Sequence, residues 1–148
     1  MEPDGVWIRA ATTADAEAVA ALAGELAQSY PFSRTAFDAS FAAVLEHDDA
    51  CLLLAGPDDA AGAVGYLLGS AHRTFYANGP VASVEEILVR QPHRGRGVGR
   101  ALMGAFERWA AGRGCRLVTL ATRRAVPFYR ALGYEESAMY LRRTLGDG

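Results

Sequence analysis

The sequence ILVRQPHRGRGVGRALMGAFERWAAG, residues 87 to 112, decides the fold of this chain. It starts with apolar and β-branched residues, passes through a glycine-rich turn, and continues with apolar residues at helical spacing. Pro92 prevents the first segment from continuing in a strand ladder. A strand, a glycine-rich turn and a helix in this order present backbone N–H groups at the positive end of the helix dipole. The segment therefore predicts an anion-binding turn.

The turn also carries cationic side chains. Arg matches phosphate geometry bidentately, so Arg94, Arg96 and Arg100 beside several backbone amides suit a pyrophosphate. Gly97 and Gly99 would let a phosphate approach the backbone closely. A P-loop is excluded because the chain contains no lysine. A G-x-G-x-x-G dinucleotide turn is excluded because Arg100 stands where the last glycine would be.

The segments on either side of this unit predict a mixed α/β fold. Thr12 to Asp15 has the form of a capping box that opens a helix, and Pro31 ends that helix. Apolar periodicity and turn residues give the other elements. Strands are predicted at 6–9, 50–55, 61–70, 81–90, 117–121 and 137–145, further helices around Phe37 to Leu45, at 100–111 and at 124–132, and a loop at 71–80. Without repeats or linkers, we expect one domain over residues 1–148.

Composition sets limits on the class of protein. With 51% hydrophobic residues in 148, the chain can bury a core without disulfides or metals. Its acidic start is followed by no long apolar run, so we expect neither a signal peptide nor a membrane span. We expect a cytoplasmic location instead. Cys51 and Cys115 have no Cys or His neighbours at ligand spacing, so no metal site is expected.

Charge is distributed unevenly along the chain. Residues 1–70 carry eleven acids and two arginines, whereas residues 71–148 carry six acids and thirteen arginines. A nucleic-acid-binding protein would be basic overall, so this pattern favours a local site for a polyanionic small molecule. The alternative is that the charges only form solvated surfaces.

Three motifs in this order resemble the GNAT superfamily of N-acyltransferases. Arg94-x-x-Gly97-x-Gly99 is similar to its acyl-CoA motif, and Glu85 to Val89 is similar to the strand that leads into it. Ala125 to Tyr134 resembles its Ala-x-x-Phe-Tyr-x-x-x-Gly-Phe/Tyr segment. The resemblance implies a mixed, mostly antiparallel sheet with splayed middle strands and about four flanking helices.

The resemblance also implies how acetyl-CoA binds. Its pantetheine amides would bond to the exposed backbone of Leu88 and Val89. The family often carries Asn where this chain has Thr122, whose hydroxyl can still bond to a pantetheine amide. The residues implied to bind the co-substrate are Leu88, Val89, Arg94, Gly95, Arg96, Gly97, Val98, Gly99, Arg100, Thr122 and Phe128.

In the resembling family an amine attacks the thioester directly. An amine with a pKa of about 10 is mostly protonated at neutral pH, so a base is needed. Glu85 and Glu86 lie on the implied strand, and alternation points one to each face. Glu85 would face the core unless a bulge turns it, and the choice of base between the two stays open. Tyr129 matches the family's general acid, which protonates the departing thiolate.

The sequence says less about the acceptor than about the co-substrate. The acidic first half suggests a cationic amine, either a small molecule or a peptide, with no nucleic-acid or membrane partner. Phe75 and Tyr76, in the predicted loop, are the substrate-binding candidates. A homodimer is one expectation because dimers are frequent in the family. The alternatives to an enzyme are a non-catalytic acyl-CoA sensor and an arginine-rich nucleic-acid contact.

Overall fold

The computed structural model describes residues 5–27, 30–59 and 61–146. The 3₁₀ turns Thr13–Asp15 and Gln91–His93 lead into the first and third helices. The elements in chain order are β1 (Val6–Ala10), α1 (Ala16–Leu26), α2 (Arg34–Glu46), β2 (Ala50–Pro57), β3 (Gly65–Thr74), β4 (Gly79–Val89), α3 (Val98–Gly112), β5 (Val118–Leu120) and α4 (Val126–Ala131).

The five strands form one mixed sheet in the order β1-β2-β3-β4-β5. β1 to β4 pair antiparallel with their neighbours. β5 runs parallel to β4 and pairs only over Ala82–Val84 with Val118–Leu120. Beyond that point β4 continues to Val89 with no strand beside it on that side, within the described residues. The predicted mixed, mostly antiparallel sheet with splayed middle strands and four helices is confirmed.

Helices cover both faces of the sheet. Side chains alternate along β2, so Leu52 and Leu54 face α1 and α2, while Cys51 and Ala55 face α3. The α3 face includes Leu67, Val98, Leu102, Met103 and Phe106, all 2% exposed or less. The α1–α2 face is centred on Val19, Leu22, Phe41, Tyr66 and Leu88.

α3 approaches the sheet most closely at Gly69 of β3. A Cβ at Gly69 would lie 2.4 Å from Cε1 of Phe106 and 2.9 Å from the carbonyl oxygen of Ser83. Phe106 is fully buried there. The glycine is therefore required because the phenyl ring occupies the space of a side chain.

The predicted capping box at the start of α1 is confirmed. The Thr12 hydroxyl accepts a hydrogen bond from the Ala14 backbone N–H, and the Asp15 carboxylate accepts one from the Thr12 N–H at 2.7 Å. Two guanidinium nitrogens of Arg9 also donate to Asp15, at 2.7 and 2.8 Å. Asp15 is buried, and the Arg9 hydrogen bonds hold its carboxyl pKa well below the usual range.

The predicted loop at 71–80 is wrong. β3 continues through Thr74 and β4 begins at Gly79, so these residues form the end of a tight hairpin. Asn78 has a φ of 60°, and the Thr74 hydroxyl donates to the Gly79 carbonyl oxygen at 2.6 Å. Asn followed by Gly is a common hairpin signal, so the turn could have been found in the sequence.

The predicted last strand at 137–145 is also wrong. The segment has no strand partner among the described residues, and the apolar side chains Met139, Tyr140 and Leu141 are mostly exposed. These three apolar residues are consecutive, so neither face of a strand would be polar. The first helix ends at Leu26 rather than near Tyr30, and α3 begins two residues before the prediction.

None of the helices in the described part of the chain is both long enough and apolar enough to cross a membrane.

Candidate active site

The glycine-rich turn adopts a conformation that requires glycine. Gly95 and Gly97 have φ values of 77° and 88°, in the left-handed region, and Gly97 is the residue before α3. The first hydrogen bond within α3 runs from the Ala101 N–H to the Gly97 carbonyl. The N–H groups of Val98, Gly99 and Arg100 therefore have no partner within the helix and can bind an anion.

The arginines of the turn divide into two roles. Arg94 donates through Nε to the carbonyl oxygen of Val89 at 2.8 Å, which fixes the turn to the end of β4. Arg96 and Arg100 are exposed, and neither pairs with a carboxylate in the described part of the chain. Their guanidinium groups are available to an anion at the N-terminus of α3.

Gly99 contacts the sequence-predicted residue Phe128. A Cβ at Gly99 would lie 3.3 Å from Cζ of Phe128, which is tighter than an ordinary contact. Gly99 therefore lets α4 pack against the first turn of α3. The contact brings the Ala125 to Tyr134 segment to the glycine-rich turn.

A cavity of about 280 Å³ lies where β4 and β5 separate. One backbone edge of β4 pairs with β3. On this edge Leu88, which is buried, pairs with Tyr66, and Val89 pairs with Gly65. The opposite backbone edge of β4 after Val84 has no strand partner among the described residues. The residues that line the cavity are Leu26, Val84, Glu85, Glu86, Ile87, Leu120, Ala121, Thr122, Arg123, Ala125 and Tyr129.

A β-bulge brings Glu85 and Glu86 into this cavity together. Glu86 pairs with Leu68 and Val84 pairs with Gly69, so Glu85 is the extra residue of β4. Both carboxylates are exposed and both line the cavity. With strict alternation of side chains along β4, one of the two would face the α3 core. Because of the bulge both line the cavity, which is the alternative that the sequence leaves open.

Tyr66 holds Glu86 and was not identified from the sequence. Its hydroxyl donates to Oε1 of Glu86 at 2.8 Å, and its side chain is only 1% exposed. Burial, together with the neighbouring Glu86 charge, raises the pKa of Tyr66, so the hydroxyl stays protonated and acts as the donor. The period-2 pattern of β3 places Tyr66 on the same face as Glu86, but the contact depends on strand register that the sequence does not specify.

Tyr129 lies on α4 and lines the same cavity as the two acids. Its side chain is 8% exposed and packs edge-on against Phe128 and Tyr134, at centroid distances of 4.9 and 6.0 Å. Burial raises the pKa of Tyr129, so its hydroxyl carries a proton at neutral pH. Tyr134 donates to Glu107 of α3 at 2.6 Å and thereby secures the segment that follows α4.

Thr122 lines the cavity in the turn before α4. Its hydroxyl oxygen accepts a hydrogen bond from the Ala125 N–H at 3.1 Å. The hydroxyl proton stays available to a ligand, because the oxygen is only an acceptor in this bond.

A larger cavity of about 810 Å³ opens between the α1–α2 pair and the sheet. Glu85 and Glu86 line it as well, so the two cavities meet at the bulge. Phe75 and Tyr76 line neither cavity. They lie at the tip of the β3–β4 hairpin, 99% and 73% exposed. The aromatic residues that do line the larger cavity are Tyr30, Phe32, Phe37, Phe41 and Tyr66.

Among the described residues, no group of three or more His, Cys, Asp and Glu side chains could hold a metal ion.

Comparison with known sequences identifies one family. The profile described as the Acetyltransferase (GNAT) family matches residues 17–134. N-alpha-acetyltransferase 80 from Mus musculus is 38% identical over 86 residues, which are 57% of this chain and 27% of that protein. The chain thus spans about a quarter of the length of this relative.

Solved structures share the fold over nearly the whole chain. Aminoglycoside N-acetyltransferase AAC(6')-Iy in complex with CoA has a TM-score of 0.82 at 26% identity, covering 99% of this chain and all of that one. Glucosamine-6-phosphate N-acetyltransferase from Arabidopsis thaliana has a TM-score of 0.82 at 18% identity, covering 95% of this chain and 99% of that one.

Proposed function

Because this chain belongs to the acetyltransferase (GNAT) family, we propose that it transfers an acetyl group from acetyl-CoA to a primary amine. The observation that carries the proposal is that one cavity, where β4 and β5 separate, is lined by a buried neutral tyrosine and by two carboxylates. Transfer from a thioester to an amine requires a proton donor and a proton acceptor, and these residues supply both in the lining of one cavity.

The co-substrate would lie along the open edge of β4. Its pyrophosphate would meet the free N–H groups at the start of α3 together with Arg96 and Arg100. Its pantetheine amides would bond to the backbone of Leu88 and Val89, as an added strand does. Thr122 and Phe128 flank this path from the α4 side, in agreement with the contact between Gly99 and Phe128.

Glu85 and Glu86, at the bulge, would deprotonate the acceptor amine. The ammonium loses one proton to Glu86 or Glu85, directly or through a water, and its nitrogen then attacks the carbonyl carbon of the thioester. Tyr66 supports Glu86 as the better-oriented base because it fixes one carboxylate oxygen. The N–C bond forms, the C–S bond breaks, and the second amine proton goes to solvent.

Tyr129 would protonate the departing CoA thiolate. A tyrosine with a pKa of about 10 or above is a weaker acid than a thiol with a pKa of about 8.5, so the transfer is uphill. It depends on holding the hydroxyl against the sulfur, and solvent then restores the proton. The packing of Tyr129 between Phe128 and Tyr134 supports that positioning.

Release of free CoA thiol in the presence of a panel of primary amines tests this function. We expect thiol release that depends on both acetyl-CoA and amine, with an acetylated product of matching mass. Glu86→Gln should slow turnover more than Glu85→Gln. Binding of CoA without turnover on any amine would instead indicate a non-catalytic acyl-CoA sensor.

A further inference from the structure

The larger cavity is lined by apolar residues on three sides. α2 supplies a stripe at helical spacing, with Phe41 buried and Phe37 half-buried. The rings of Phe32, Phe37 and Phe41 form a row, with centroid distances of 5.8 and 5.4 Å. The other apolar lining residues on α1, α2 and the sheet are Val19, Ala23, Leu26, Ala36, Val44, Leu52 and Leu68.

Polar residues are a minority of the lining: Tyr30, Ser33, Ser40, Tyr66, Glu85, Glu86, Arg123 and Arg142. Glu85 and Glu86 lie at the sheet end, where the smaller cavity begins. The hydroxyl of Tyr30 lies 3.2 Å from Oγ1 of Thr144, so it already has a partner. A ligand with many hydroxyl or amino groups would leave most of them without hydrogen-bond partners against Phe37 and Phe41, which is unfavourable.

Two arginines limit the charge that an acceptor can carry. Arg123 lines both cavities and Arg142 lines the larger one. Neither pairs with an acid in the described part of the chain, and Arg123 is close enough to the bulge to share both cavity walls with Glu85 and Glu86. One ammonium can be accepted by the carboxylates, but a second would meet positive charge without compensation.

We propose that the acceptor is a primary monoamine attached to a bulky apolar group, which the aromatic cavity between α1, α2 and the sheet holds while the amine reaches Glu85 and Glu86. The inference rests on the proposed function. A volume of about 810 Å³ is ample for an aryl or branched alkyl group, as in other small-molecule sites. The same chemistry occurs in a free arylalkylamine and in a peptide that begins with a large apolar residue.

Acceptor competition tests the proposal. Thiol release from acetyl-CoA would be measured with 2-phenylethylamine, a peptide beginning with Phe, ethanolamine, spermidine and an aminoglycoside. Burial of one phenyl group predicts a kcat/KM roughly ten- to a hundred-fold higher for 2-phenylethylamine than for ethanolamine. The peptide distinguishes the two sources of the apolar amine. A kcat/KM for spermidine or the aminoglycoside equal to or above both apolar acceptors would overturn the proposal.

Two matched variants on α2 localise the effect. Ala36 and Ala39 are both exposed on this helix, but only Ala36 lines the cavity. Ala36→Trp narrows the cavity without removing any buried side chain from the core. KM for 2-phenylethylamine should therefore rise about tenfold or more, while KM for acetyl-CoA stays unchanged. Ala39→Trp should leave both values as they are. Equal behaviour of the two variants would contradict the assignment of the cavity.

The outcomes separate the inference from the function on which it rests. Acetylation of a polar amine in preference to the apolar ones overturns only the inference. Absence of acetylation for every amine, with acetyl-CoA still bound, overturns the proposed function and the inference with it.

Discussion

The two faces of the sheet are packed differently. On the α3 face, Leu102, Met103 and Phe106 fill the space against the strands, and Phe106 reaches the backbone at Gly69. On the α1–α2 face, fewer apolar residues are buried, and a cavity of about 810 Å³ remains. The difference fits a division of work between the two proposed sites, in which the filled face would fix the glycine-rich turn for CoA and the open face would receive the acceptor.

Tyr129→Phe tests the chemistry at the boundary of the two faces and should have the largest effect. A general acid contributes about 100-fold or more to rate, so kcat should fall by that order for every amine. KM for acetyl-CoA should stay nearly constant, because the ring and its packing against Phe128 remain. The check is steady-state thiol release; a variant with unchanged kcat would remove Tyr129 as the acid.

Gly69→Ala tests the close packing of the α3 face. The added methyl group would overlap the Phe106 ring, so we expect a loss of about 3 kcal/mol in the free energy of unfolding. Gly62→Ala is the matched control, because nothing lies within 4 Å of its Cβ position. Urea denaturation of both variants measures the difference. Equal stabilities would mean that this face is not tightly packed.

The sequence revealed the α3 face much more fully than the α1–α2 face. The turn at Arg94 to Gly99 is local, since its conformation follows from adjacent glycines and arginines. The contact between Tyr66 and Glu86 is not local, because it depends on the register of β3 against β4. The bulge at Glu85 likewise arises from the pairing of β4 with β3. Strict alternation along β4 therefore predicts the orientation of the Glu85 side chain only if the strand has no bulge.

The residues that line the larger cavity are hard to identify from the sequence for a similar reason. Phe75 and Tyr76 are predicted to bind the acceptor because residues 71–80 are expected to form a loop, and the Asn78-Gly79 turn instead places them at an exposed hairpin tip. Phe37 and Phe41 were recognised only as the apolar face of a helix. Periodicity identifies such a face but cannot indicate that part of it borders a cavity.

Asp15→Asn tests how the α1–α2 face is anchored and should have a smaller effect. Asp15 loses its charged hydrogen bonds to Arg9, while part of its capping role remains, so we expect a loss of about 2 kcal/mol at pH 7. The folded-state pKa of Asp15 is depressed, so its stabilisation is complete above the unfolded pKa near 3.8 and is lost as pH falls through the folded pKa.

Denaturation of wild type and Asp15→Asn between pH 7 and pH 3 measures this dependence. The gap between the two curves should be constant above about pH 5 and should begin to narrow below about pH 4, as protonation in the unfolded state begins to remove the contribution of Asp15. Arg34→Gln is a useful control, because the Arg34 pairs with Glu17 and Asp38 are exposed and should contribute little. A gap between wild type and Asp15→Asn that stays constant with pH would exclude the charged form of Asp15 as its source.

The division of work between the two faces is tested most directly by calorimetric titration with acetyl-CoA. Wild type should bind one equivalent, the double variant Arg96→Ala and Arg100→Ala should bind at least about tenfold more weakly, and Ala36→Trp should bind as wild type does. No binding to wild type at millimolar acetyl-CoA would contradict the account. So would equal affinity of the double variant, because the turn at the start of α3 would then not hold the pyrophosphate.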